Sequence, residues 1–188
     1  MVFLQRKYLI IARIIPNRQK ARLLTALAFP GIVRGIEFAT YPTLHFIEQK
    51  YIRTGKLPID YTIGDLQMRL RLVEQIDELL KKNPNFSHQT GIVSYPAGLS
   101  EQQIRRRRLE RMQQFHWQLK YLHAFYKIVM QNAPGQFDDE LQKLYFFASA
   151  YYSSNAVVER EVSQFNVPPE YLALIGNFYF YEAPKMFA

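Results

Sequence analysis

Between Ser100 and Asn132 the apolar residues Met112, Phe115, Leu119, Leu122, Tyr126 and Val129 follow one another at alternating steps of three and four. That spacing lines side chains along one face of an α-helix. Ser100 followed by Gln103 is a capping box, so the pattern predicts one uninterrupted helix of ~30 residues, about 48 Å long. A second stripe, Leu66, Leu70, Val73, Ile76 and Leu80, predicts a helix over Asp65 to Lys82 that ends at Asn83-Pro84. Leu72 and Leu79 widen this stripe beyond a coiled-coil seam, so the helix is buried on one side. The implied fold class is all-α, an irregular helical domain built around one long helix.

The shorter elements agree. Asn17 can cap a helix to about Ala28 that Phe29-Pro30-Gly31 ends. Pro42 to Thr54 carries Leu44, Ile47 and Tyr51 on one face and stops at Gly55. Pro84 to Leu99 reads as a turn-rich loop ordered by packing. Asp138 or Asp139 can cap a helix with Leu141, Leu144, Tyr145, Ala148 and Tyr152 inward. Ser153-Ser154-Asn155 interrupts it, with Val157 to Phe165 as a continuation or a separate helix. Pro168-Pro169-Glu170 opens a short helix to about Ile175. The end, with Phe178, Tyr179, Phe180, Tyr181 and Phe187, is too aromatic to lie free in water and is expected as an extended tail docked on a surface. The organisation that follows is a basic arm (1–56), a helical core (57–176) and an aromatic tail (177–188). A chain of 188 residues can bury roughly 70% of its extended surface, enough for such a core without metals or disulfides.

Charge is distributed unevenly. The formal net charge is +8, yet the first 36 residues contain Arg6, Lys7, Arg13, Arg18, Lys20, Arg22 and Arg34 and no acid, so this segment alone is +7. From Gly135 onward the balance is −4, and 13 of the 28 aromatic residues lie in the last 52 positions. A basic head implies an anionic partner, and an acidic aromatic tail implies protein contacts. An acid-free, Arg-rich, amphipathic start, Val2 to Leu27, has the composition of a mitochondrial targeting segment, cleaved or retained, and the alternative is a basic amphipathic helix on an anionic surface. The most apolar window, Leu23 to Ala39, is interrupted by Pro30, Gly31, Arg34, Gly35 and Glu37, so no transmembrane span is expected.

Chemistry-bearing motifs are sparse. The chain has no cysteine, which excludes disulfides, zinc-thiolate sites, iron–sulfur clusters and cysteine nucleophiles. His116 and His123 are seven apart and lack a carboxylate one turn away, and His45 with Glu48 lacks a third ligand, so no metal is assigned. There is no G-x-S-x-G elbow or glycine-rich phosphate loop. Asp138-Asp139-Glu140 suits a helix dipole better than catalysis. No cofactor is expected, and the chain reads as a non-enzyme.

The loudest feature is Arg105-Arg106-Arg107-Arg108 with Arg111. Guanidinium groups at a helix start oppose the macrodipole, a penalty that negative charge from a partner would offset. Together with Arg13, Arg18, Lys20 and Arg22 they are the candidate anion, lipid or phosphate-binding residues. Phe178, Tyr179, Phe180, Tyr181 and Phe187 are the candidate protein interface. Tyr121, Phe125 and Tyr126 could stack bases, but their helical spacing assigns them to the core. The expected function is that of a structural accessory subunit of a large mitochondrial inner-membrane complex, either a respiratory complex or ATP synthase. It would clamp other protein subunits and touch anionic phospholipid such as cardiolipin. The alternative is an RNA-binding mitochondrial ribosomal protein, although 24 basic residues against 16 acidic is modest for that role.

Overall fold

The computed structural model describes residues 2–37, 43–57, 61–131, 133, 137–152 and 167–187. It is all-α apart from one small hairpin. The chain runs through α1 (Val2–Arg6), α2 (Tyr8–Ile14), α3 (Arg18–Glu37) and α4 (Thr43–Thr54). The strands β1 (Thr62–Ile63) and β2 (Met68–Arg69) follow, then α5 (Leu70–Lys82), α6 (Pro84–Thr90), α7 (Glu101–Met112), α8 (Phe115–Gln131), α9 (Glu140–Tyr152) and α10 (Pro169–Asn177). A π-helical turn (Phe178–Glu182) and α11 (Ala183–Met186) complete it. One apolar cluster extends from Leu4 and Ile11 in the arm, through α5 and α8, to Phe178 and Phe187 in the tail.

The long helix expected from Ser100 is two helices. Its start is as predicted: Ser100 Oγ accepts from Gln103 N at 3.3 Å, and Ser100 N donates to Gln103 Oε1 at 2.8 Å. The break at Gln113–Gln114 is caused by a contact from a segment distant in sequence. The hairpin pairs Thr62 with Arg69 and Ile63 with Met68, and Gly64 in its turn, at φ +75°, presses against the break. A Cβ there would lie 1.7 Å from Gln118 Nε2 and 2.1 Å from Met112 O. The fully buried Gln118 closes the gap, donating from Nε2 to Met112 O at 2.5 Å and accepting from Leu66 N at 2.6 Å. Carbonyl and amide groups left by the interrupted helix and the hairpin turn are thereby satisfied. The same hairpin takes the residues that the Leu66 to Leu80 stripe had assigned to a helix, so α5 begins only at Leu70.

Three further expectations are corrected. Pro30-Gly31 does not end the N-terminal helix: α3 continues to Glu37, because Leu23, Leu24, Leu27 and Ile32 are all buried and packing outweighs the missing proline N–H. Gly31 there allows α3 to sit on the hairpin turn, where a Cβ would come within 2.9 Å of Gln67 Cβ. Part of the expected Pro84 to Leu99 loop is helical. α6 starts with Pro84 in its first turn, buries Phe86 and ends at Gly91 in the left-handed region, φ +65°.

The tail is not extended but helical, and it docks on α3. Phe178 stacks on Phe29 with centroids 4.5 Å apart, and Phe187 meets Tyr8 at 5.8 Å. Asp139 opens α9 by accepting from Gln142 N at 2.7 Å, and Pro168-Pro169 opens α10. Ser153-Ser154-Asn155 and Val157 to Phe165 lie outside the described residues.

Candidate anion-contacting surface

Four consecutive residues on a helix, stepping about 100° each, point in four directions. The arginine run on α7 is divided accordingly. Arg108 is buried, its guanidinium turned into the core, where Nε donates to Asp77 Oδ2 at 2.7 Å. Its Nη1 donates to the Tyr51 hydroxyl at 2.5 Å and to Glu74 Oε1 at 3.1 Å. Tyr51 in turn donates to Glu74 at 2.7 Å, and Tyr121 to Asp77 Oδ1 at 2.5 Å, while Tyr95 reaches Asp77 Oδ2 at 3.1 Å. Burial would lower the Arg108 pKa, but the charge of Asp77 and the Tyr51 hydroxyl outweigh it and leave it raised. Burial, with carboxylate charge beside each, pushes the Tyr51, Tyr95 and Tyr121 hydroxyls up, so all three remain donors. Both Asp77 oxygens are occupied, and the cluster is a clasp joining α4, α5, α7 and α8.

Two neighbours also turn inward. Arg105 donates to Ile52 O at 2.9 Å and pairs with Glu101 at 3.8 Å. Arg111 donates to Val93 O at 2.8 Å and lies between the Tyr95 and Trp117 rings, at 4.2 and 4.4 Å. Only Arg106 and Arg107 of the run stand exposed. The clue to Arg108 was in the spacing: stepping back from Met112 by four gives Arg108 and then Ile104. Asp77 likewise stands four residues after Val73 on the buried stripe of α5. A charged residue on an apolar stripe, matched by an opposite charge on another stripe, signals a buried pair.

The arm's cations divide along a different line. Arg22 faces the tail, donating to Tyr179 O at 3.0 Å with its guanidinium over the Tyr179 ring. Lys20 lies over Tyr126 at 4.6 Å, its pKa lowered by burial and by Lys127 and Lys143. Arg6, Arg13 and Arg18 are exposed. The arm is anchored by Leu4, Ile11 and Ile15, all nearly inaccessible, and by Lys7 Nζ over the Phe115 ring at 5.2 Å. Its outer face keeps Leu9 79% exposed and Ile10 38% exposed beside Arg13. Between this face and α8 lies a groove of about 560 Å³ lined by Leu9, Ile10, Arg13, Ile14, His116 and Lys120, with no carboxylate among them. No ion pair involves Arg13 among the described residues.

Of the tail aromatics, Phe178, Tyr179 and Phe187 are buried in the chain's own core, and Tyr179 donates to Glu140 at 3.2 Å. Phe180 and Tyr181 remain exposed, the latter at 67%. Tyr121 and Phe125 are fully buried, and Tyr126 stacks on Phe147. His45 is exposed while Glu48 accepts from Tyr61, and no cluster of three or more metal-ligating side chains occurs among the described residues. Among the same residues no helix is long and apolar enough to cross a membrane. The chain matches no protein-family model, curated protein or solved structure, so function must be read from its own residues.

Proposed function

We propose that the chain is a non-catalytic, all-helical accessory subunit of a large mitochondrial inner-membrane energy-transducing assembly, a respiratory complex or ATP synthase. In this reading its basic arm rests on anionic phospholipid while exposed apolar residues engage neighbouring subunits. The observation that carries it is the arm's outer face. Leu9 and Ile10 are left to water beside Arg6 and Arg13, in a segment with no acid before Glu37. A basic helix with exposed aliphatics gains from an anionic lipid surface on both counts, through charge and through apolar burial. Phe46 and Tyr181, 65% and 67% exposed, are the aromatic anchors offered to protein neighbours.

The inward turn of Arg105, Arg108 and Arg111 weakens the RNA-binding alternative, because a phosphate backbone needs several free cations to neutralise. Native electrophoresis of detergent-solubilised inner membranes containing the tagged chain tests the reading. Comigration with a respiratory complex or ATP synthase is expected, and migration as a lone 22.3 kDa monomer would overturn it. A reporter fused to residues 1–36 should enter mitochondria, and a diffuse cytosolic signal counts against the location.

A further inference from the structure

We propose that the groove between α2 and α8 seats one acyl chain of an anionic phospholipid, with Arg13 and Lys120 holding its phosphate. This rests on the lipid-contact reading of the arm and narrows it to one molecule in one place. The walls are aliphatic, from Leu9, Ile10 and Ile14, and the rim is cationic, from Arg13 and Lys120, with His116 one turn before Lys120. Its volume of about 560 Å³ falls in the roughly 300–1,000 Å³ range of small-molecule sites.

Charge complementarity selects the occupant. Burial and the charge of Lys120 lower the His116 pKa, so near neutral pH that ring is an uncharged hydrogen-bonding group. Arg13 and Lys120 supply two fixed positive charges with no acid between them. A guanidinium forks onto phosphate oxygens, and an ammonium adds a point charge beside it. A polyanion without an apolar part would leave Leu9 and Ile10 in water. A purely apolar ligand would leave Arg13 without an anion and Lys120 with only the Trp117 ring. A phospholipid chain continuous with its phosphate satisfies both, and burying the aliphatics adds about 25 cal/mol for each Å² covered.

The single tryptophan of the chain reports on the site. Trp117 adjoins His116, with ring centroids 5.6 Å apart, and Lys120 Nζ lies 4.4 Å from its ring centroid. The experiment titrates the full chain with brominated lysophosphatidylglycerol below its micelle concentration and follows Trp117 quenching. Brominated lysophosphatidylcholine is the zwitterionic control, and phosphatidylglycerol-containing vesicles are tested in parallel.

Saturable one-to-one quenching is expected. It should be at least tenfold weaker with the zwitterionic lipid, and at least tenfold weaker in the doubly substituted Leu9→Gln, Ile10→Gln chain. Both positions are exposed, and circular dichroism verifies that the fold is kept. Arg13→Glu provides a second variant that leaves the apolar wall intact and is expected to lose the preference for the anionic head. Equal quenching by the two lipids, or quenching unchanged in these variants, would overturn the proposal. Vesicle binding without saturable quenching would overturn the groove while leaving the arm's membrane contact standing. Failure to bind either form would defeat both.

Discussion

The α7 arginine run and the N-terminal arm are the two concentrations of positive charge in the sequence, yet the fold uses them differently. In the run, Arg105, Arg108 and Arg111 are drawn onto two carbonyls, three carboxylates and two aromatic rings of the same chain. In the arm, Arg6, Arg13 and Arg18 face outward, and Leu9 stays uncovered beside them. Density of charge in the sequence is therefore a poor guide to what a partner meets. The deciding factor is whether the charged face of the helix meets other elements: α7 is packed between α4 and α8, whereas α2 packs on α8, α3 and Phe187 and leaves the face of Leu9, Ile10 and Arg13 uncovered.

The comparison breaks most sharply at Arg108. Replacing it with alanine strands Asp77 and Glu74 beside the core, and should destabilise the fold by about 3–5 kcal/mol in denaturant titration. An effect below about 1 kcal/mol would mean the clasp is open to water. At the α7–α8 break, Gln118→Leu leaves Met112 O and Leu66 N without their partner, at a cost of about 1–3 kcal/mol for each buried group. The same titration reads it.

The arm's inner side offers a pH test. His123 is held down to about 4 by burial and by Lys20 and Lys127, against an ordinary value of about 6.5. Between those values the unfolded chain binds more protons, so the contribution of this ring to stability is full above about 6.5 and is lost as pH falls toward 4. Allowing for screening at a partly exposed ring, the loss is about 1 kcal/mol. Thermal melts of the wild type and His123→Gln across this window should converge at low pH. The smallest effect belongs to the exposed pair: Arg106→Gln with Arg107→Gln should move stability by no more than about 0.5 kcal/mol.

Much of the fold is legible in the sequence. The capping box at Ser100, the stripe on α8, the caps of α9 and α10 and the core placement of Tyr121 and Phe125 follow from spacing and local chemistry. What was not legible depended on contacts distant in sequence. Nothing near Gln113 announces a break, because its cause is Gly64, nearly fifty residues away. Pro30-Gly31 has the composition of a stop, and only the hairpin packed against it explains why the helix runs on. The tail's aromatics signalled burial for Phe178, Tyr179 and Phe187, though not for the exposed Phe180 and Tyr181, and they did not signal the site, which is the chain's own α3. For the candidate surface, the acid-free arm was visible in the sequence. The exposed Leu9 beside Arg13 was not, since an alternating amphipathic pattern does not say which side of a short helix finds a neighbour.

The central claim is that the outward-facing arm, and not the arginine run, makes the anionic contact. Partition of the full chain onto vesicles containing anionic phospholipid tests it, comparing Arg6→Gln, Arg13→Gln, Arg18→Gln in one chain with Arg106→Gln, Arg107→Gln in another. At about 1 kcal/mol per surface cation, the arm variant should bind about a hundredfold more weakly, while the run variant stays within a few-fold of wild type. Equal losses in the two variants, or wild-type protein that ignores anionic vesicles, would contradict the account.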